Sequence, residues 1–211
     1  VEGGKALASA LTVNAVLNNL HLSYNRLGPE GGAAIAKALE GNAVLTSLNL
    51  YNNHLGAEGG KALADALSVN AVLTKLNLDG FDLPVQQLKG TDPVETLDLS
   101  RKDLGSLSGI VIAKLLEGNG VLTNLNLADN QLCGIDEFGN QTTYDASAIQ
   151  ALASAISVNA VLTKLNLDGF ELNIPQLRGA EPVTTLDLSR KRLALGVASG
   201  IVIAKLLEVN A

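Results

Sequence analysis

The residues whose side chains could perform catalysis are few and lie far apart in the sequence. The chain has 211 residues with two histidines, His21 and His54, and one cysteine, Cys133. A cysteine nucleophile needs a base beside it, and no histidine lies within 70 residues of Cys133. No H-E-x-x-H or C-x-x-C motif is present, so the common zinc signatures are also missing. The sequence therefore predicts a protein without catalysis of its own.

Two further patterns have the residue types of a ligand site but not the required spacing. The stretch E-G-G-K at 58–61 lacks the spacing of a phosphate-binding loop, and its paired glycines recur at 3–4 and 31–32. Asp136, Glu137 and Asp145 could offer oxygen atoms to Ca²⁺, but their spacing does not match an EF-hand loop. We therefore predict no cofactor and no metal.

Composition and charge exclude several other classes of protein. With 47% hydrophobic and 17% charged residues, the chain is too apolar to be disordered. No stretch approaches the ~18 apolar residues of a membrane span, and a net charge of −6 argues against nucleic acid. A single cysteine allows no disulfide framework. We therefore expect an intracellular, cytoplasmic protein, with an organelle left open, and a protein partner.

The elements that position these residues follow from an internal repeat. Residues 17–44 align without gaps on residues 45–72, and the segment L-x-x-L-x-L or its valine variant starts seven times, at positions 17, 45, 73, 94, 122, 162 and 183. Leucines two apart predict a short strand with both side chains on one face. The second half of each repeat has helical spacing. Strands and helices in this order predict a repeat array with a parallel sheet on one side.

The motif in LTSLNLYNNHL, followed by a helix, resembles the leucine-rich repeat family, and the 28-residue period resembles its ribonuclease-inhibitor-like subclass. The resemblance implies an α/β fold: a right-handed, curved solenoid with the parallel sheet on the concave side and helices on the convex side. It also implies a role as an inhibitor or as the sensing arm of a larger protein. We expect a single solenoid over residues 1–211, with seven strand motifs and partial repeats at both ends.

The repeats depart from the family pattern in an ordered way. Residues 73–102 recur 89 residues later as residues 162–191, and each copy contains a short repeat in which one turn after Pro84 or Pro175 replaces the long helix. Phe81 and Phe170 are expected to fill the core there. Asn25, Asn53 and Asn130 occupy the family's asparagine position; turns without it, such as that of Lys102, are expected to differ in shape. An insertion at 133–147 reads as a surface loop.

The concave face and the 133–147 loop are the surfaces left for recognition. We expect the central column of strand residues, including Asn49, Asp98 and Asn126, to be linked partly by hydrogen bonds between neighbouring side chains. Tyrosine and arginine often anchor protein interfaces. The candidate protein-binding residues are His21, Tyr24, Tyr51, Lys75, Arg101, Lys164 and Arg190.

Two functions fit these features. The first is a non-catalytic scaffold for protein–protein interaction that uses the concave face and the loop. The alternative is a structural subunit, or a fragment of a longer repeat array, that assembles end to end with itself or within a larger complex.

Overall fold

The structure, a computed structural model, describes residues 2–134, 144–181, 183–186 and 197–209. Short strands alternate with helices along the chain, as the repeat predicts. The strands are β1 (Asn19–His21), β2 (Ser47–Asn49), β3 (Lys75–Asn77), β4 (Asp82–Pro84), β5 (Thr96–Asp98), β6 (Asn124–Asn126), β7 (Lys164–Asn166) and β8 (Glu171–Asn173). The helices are α1 (Glu2–Val13), α2 (Gly28–Gly41), α3 (Gly56–Val69), α4 (Val85–Lys89), α5 (Ser106–Glu117), α6 (Ser147–Val158), α7 (Ile174–Leu177) and α8 (Val197–Val209).

The strands form two four-stranded sheets, in the orders β1-β2-β3-β4 and β5-β6-β7-β8. In each sheet the first three strands are parallel and in register, so that Leu20, Leu48 and Leu76 face one another across neighbouring strands. The fourth strand runs antiparallel to the third. The parallel strands predicted from the motif are therefore confirmed at the first six positions.

Strand pairing stops between β4 and β5, whereas the sequence predicts one sheet from end to end. The reason is the short repeat: after β3 the chain turns back at Gly80 and lays β4 along the edge that the next parallel strand would occupy. The seventh expected strand, at 183, is not present in residues 183–186, and the rest of that motif lies outside the described residues.

A single aliphatic core nevertheless runs beneath both sheets. Inward-facing strand leucines such as Leu48, Leu76 and Leu125 are fully buried and belong to one cluster that extends from α1 to α8. Each such leucine contributes about 1.5–3 kcal/mol relative to an exposed one. The helical layer is also continuous, because α3 packs directly against α5. The curvature and the single-solenoid extent stay predictions.

Glycines at the helix starts allow this close helix packing. A Cβ atom at Gly60 would lie 3.0 Å from the Leu107 side chain, and one at Gly109 would lie 2.6 Å from the Cβ of Ala148.

The short repeats also have the predicted form. One turn of helix follows Pro84 as α4 and includes Pro175 in α7, and Phe81 and Phe170 pack, partly buried, against the core.

The asparagines at the family position form a ladder of hydrogen bonds to the backbone of neighbouring repeats, and this asparagine ladder also reaches a turn that has no such asparagine of its own. The Asn53 side chain donates to the carbonyl oxygens of Leu22 and Leu50 at 2.7 and 3.0 Å. Asn130 accepts from the backbone amide of Lys102 at 3.0 Å. The expectation that the Lys102 turn differs in shape is therefore wrong: the asparagine of the next repeat supplies the bond.

A second set of buried asparagines joins consecutive helix ends and was not predicted. The side-chain amide of Asn70 donates to the carbonyl of Leu39, and its oxygen accepts from the amides of Val72 and Leu73. The same arrangement recurs at three other helix ends, at Asn42, Asn119 and Asn159. Each of these side chains satisfies a carbonyl group in the last turn of α1, α2, α4 or α5. No helix among the described residues is long and apolar enough to cross a membrane.

Candidate protein-binding surface

The turns that leave β1 and β2 carry their side chains in an unusual backbone conformation. Tyr24 and Arg26 after β1, and Asn52 and His54 after β2, all have positive φ, between 52° and 62°. Non-glycine residues adopt this region rarely, and at a cost of about 1 kcal/mol or more. Asn53 holds the turn in place, because its side-chain oxygen accepts from the amides of Asn25 and Leu27 at 3.0 and 3.3 Å.

The two tyrosines of these turns are in direct contact. The rings of Tyr24 and Tyr51 are 5.3 Å apart between centroids and nearly perpendicular, at 86°. Gly80 lies beneath the Tyr51 ring, since a Cβ atom there would be 3.8 Å from the ring edge. Tyr24 is 66% exposed, whereas Tyr51 is half-buried. The Tyr24 hydroxyl raises the pKa of Tyr51, and burial and the carboxylates of Asp79 and Asp103 act in the same direction.

A shallow groove of about 370 Å³ lies beside the tyrosine pair and is lined by Tyr24, Arg26, Asn52 and His54. We name these four residues together with Tyr51 the tyrosine turn surface. It combines an exposed aromatic ring with a guanidinium, an imidazole and an amide. These groups can bury apolar area and donate hydrogen bonds at the same time.

The structure brings some of the predicted binding residues together and separates others. Tyr24 and Tyr51 belong to the tyrosine turn surface. His21 and Lys75 are exposed on β1 and β3 but do not line the groove. The Nε atom of Arg101 donates to Asp129 at 3.1 Å. Two candidates remain: Lys164 forms an ion pair with Glu171 at 3.0 Å, and Arg190 lies outside the described residues.

Three residues of the surface, Arg26, Asn52 and His54, were not among the sequence candidates. Asn52 occupies the same place of its turn as the candidate Tyr24, and Arg26 and His54 lie two residues further along their turns. The signal that finds them is their place in the repeat, two and four residues after the last strand leucine. Both places have positive φ.

The central column of strand residues is bonded differently from the sequence expectation. The side-chain oxygens of Asn49, Asp98 and Asn126 each accept from the backbone amide two residues later, at 2.9, 2.9 and 3.1 Å. They therefore fix their own turns rather than bond to one another. For Asp98, the hydrogen bond from the Ser100 hydroxyl lowers the carboxyl pKa.

The rest of the described chain adds no reactive centre. Cys133 is buried, and burial raises the pKa of its thiol to about 11. Within the described ranges, no three histidine, cysteine or acidic side chains are grouped as metal ligands. Most of the 133–147 loop, residues 135–143, lies outside the part that the structure describes.

The repeated strand–helix unit with its asparagine ladder defines a class of parallel repeat proteins. A sequence model of the leucine-rich repeat family matches residues 13–36 and 41–64, so the chain contains leucine-rich repeats there.

Comparison with other known proteins gives the following similarities. No curated protein matches the chain. Among solved structures, the actin-binding site 2 of leiomodin-1 is similar at 15% identity and a TM-score of 0.42, over 99% of this chain and 88% of that one. The C-terminal domain of Caenorhabditis elegans tropomodulin is similar at 12% identity and a TM-score of 0.40, over 98% of this chain and 92% of that one.

Proposed function

We propose that the chain is a non-catalytic module for protein–protein interaction and that the tyrosine turn surface is its main binding site. The observation that carries this proposal is the exposed ring of Tyr24, held by Tyr51 and by a backbone with positive φ. An ordinary surface tyrosine is free to rotate, whereas this one loses little entropy on binding because its contacts are already made.

The residue types of the surface support the same proposal. Tyrosine and arginine are enriched among the residues that dominate binding energy. Both occur here beside a groove that a partner side chain could enter.

The test is affinity capture from the native source with matched variants. Tyr24→Ala should reduce the amount of the main captured protein at least tenfold, which corresponds to about 1.4 kcal/mol. Val158→Ala is the control, because Val158 is also a large exposed side chain, at 69%, and lies at the end of α6, away from the groove lining. Equal capture by the two variants would reject the site.

A second candidate function is contact between copies of the chain. It is favoured by the exposed valines Val13 and Val16, at 82% and 80%: Val13 ends α1, and Val16 lies between α1 and β1. Exposed apolar side chains close together are typical of interaction sites. Light scattering over a range of concentrations tests it: the mass should rise with concentration, and Val13→Ser with Val16→Ser should abolish the rise.

A further inference from the structure

We propose that the tyrosine turn surface selects an acidic peptide segment of its partner, with Arg26 receiving the carboxylate. This inference rests on the proposed function and adds the chemistry of the partner to it. Three observations carry it: the Arg26 side chain has no ion-pair partner among the described residues, the second half of the chain differs at the corresponding turns, and the Tyr24 ring lies beside Arg26 in the groove lining.

The groove is lined by basic side chains and by no acidic one. Arg26 and His54 line it and are both exposed. Within the part of the chain that the structure describes, neither side chain forms an ion pair or a side-chain hydrogen bond. The absence of an ion pair is unexpected on a protein with a net charge of −6. On such a protein, acidic side chains outnumber basic ones, and most basic side chains have a carboxylate nearby.

The second half of the chain provides an internal comparison at the same positions. Arg101 and Asp103 after β5, and Asp129 after β6, have φ between 54° and 56°, so that the backbone repeats that of the first turns. There, however, two of the side chains are carboxylates, and Asp129 accepts a hydrogen bond from Arg101 at 3.1 Å. In the second half the arginine stands at the place of Tyr24 and is paired with Asp129, and Asp103 stands at the place of Arg26. The same backbone therefore presents a paired cation in the second half and, in Arg26, an unpaired one in the first half among the described residues.

The aromatic wall favours a peptide over other anionic partners. A guanidinium binds a carboxylate through two parallel hydrogen bonds, and the exposed Tyr24 ring offers apolar area to the carbon atoms of an adjoining side chain. A nucleic acid would need several cations spaced along its phosphates, whereas the groove has only Arg26 and His54 in its lining. We therefore assign the site to a segment rich in glutamate or aspartate.

Direct binding of short peptides tests the preference. The probes are fluorescein-labelled octaglutamate and octaglutamine, with a thymidine decanucleotide of matched label, followed by fluorescence anisotropy at low salt. Octaglutamate should bind saturably and at least tenfold more tightly than octaglutamine or the oligonucleotide. Arg26→Gln should weaken octaglutamate binding at least tenfold, and Arg101→Gln should change it less than twofold.

A variant that gains binding tests the proposal without relying on a loss of binding. Asp103→Asn with Asp129→Asn removes both carboxylates from the second pair of turns and should raise the number of bound octaglutamate molecules from one to two. The proposal is overturned by equal binding of octaglutamate and octaglutamine, by equal losses in the two arginine variants, or by oligonucleotide binding as tight as that of octaglutamate.

Capture of the native partner separates this inference from the function on which it rests. If Tyr24→Ala abolishes capture but Arg26→Glu does not, the binding surface stands and the acidic preference is wrong. If neither variant reduces capture, both proposals are wrong. If both variants reduce capture and Val158→Ala does not, both are supported.

Discussion

The Oδ2 atom of Asp79 lies 2.9 Å from the backbone nitrogen of Gly105, 26 residues further along the chain, and accepts its hydrogen bond. The same oxygen accepts from the amide of Ser108 at 3.1 Å. Asp79 follows β3, the last parallel strand of the first sheet, and the two amides belong to the start of α5 in the next repeat. Where strand pairing stops, this carboxylate therefore links the two halves. In the second copy of the short repeat, Asp168 accepts from the amide of Ser199 at 3.0 Å in the same way.

Removing this carboxylate should destabilise the fold at the junction. Asp79→Ala leaves two amides at the start of α5 without an acceptor, and a lost cap costs about 0.5–2 kcal/mol. Asp79→Asn keeps one oxygen in place and removes the charge, so it should cost less than the alanine variant. Urea unfolding of both variants measures the difference. Glu95→Ala, at an exposed carboxylate close to the junction, is the control and should unfold as the parent does; equal costs for all three would contradict the bridging role.

Each buried asparagine of the ladder should contribute more to the free energy of unfolding than the Asp79 cap, because its side chain bonds to several backbone groups. Asn53 is 2% exposed, and its side chain bonds to five backbone groups of two repeats. Asn53→Ala leaves these groups buried without partners, and we expect a loss of about 2–4 kcal/mol of unfolding free energy. Asn19→Ala, an exposed asparagine on β1, is the matched control and should cost less than about 0.5 kcal/mol. A loss at Asn53 no larger than that at Asn19 would show that water replaces the ladder.

The sequence predicted the parts of the fold that repeat and missed those that depend on neighbouring repeats. The six parallel strands, the long helices and the single turns at Pro84 and Pro175 follow from the spacing of leucines, glycines and prolines within one repeat. The antiparallel β4 does not, because Asp82–Pro84 is a strand only through pairing with β3. The bond from Asn130 to the Lys102 turn was missed for the same reason.

For the candidate site, too, residue types could be predicted from the sequence, whereas contacts between neighbouring repeats could not. Tyr24 and Tyr51 could be chosen from residue type alone, and their contact follows from adjacent repeats. The ion pair of Arg101 with Asp129 joins side chains 28 residues apart, and residue type alone gives no sign of it. Arg101 is paired in the second half, whereas Arg26 forms no ion pair among the described residues of the first half. For this reason Arg26 is the residue proposed to bind a carboxylate of the partner.

Close helix packing should make one glycine far less tolerant of substitution than another. In Gly109→Ala the added Cβ atom would lie 2.6 Å from the Cβ of Ala148, so α5 and α6 must move apart, at a cost of about 1–3 kcal/mol. Gly41→Ala, near the end of α2, meets nothing within 4 Å and should be neutral or stabilising by up to about 1 kcal/mol. Thermal unfolding of the two variants checks the order, and a Gly109→Ala protein as stable as Gly41→Ala would contradict the packing argument.

The thiol of Cys133 should be slow to react in the folded protein and ordinary in the unfolded one. Its side chain is 7% exposed, and burial raises its pKa from 9.0 to about 11, with Asp168 and Asp145 acting in the same direction. Since the thiolate is the reactive form, its population at pH 8 is roughly a hundredfold lower than for an unperturbed thiol. The rate of alkylation by iodoacetamide should therefore be at least a hundredfold lower in native buffer than in guanidinium chloride. It should also rise with pH up to about 11 rather than level off near 9. A native rate equal to the denatured one, or a plateau near pH 9, would mean that Cys133 is open to solvent and that the core does not close over the start of the insertion.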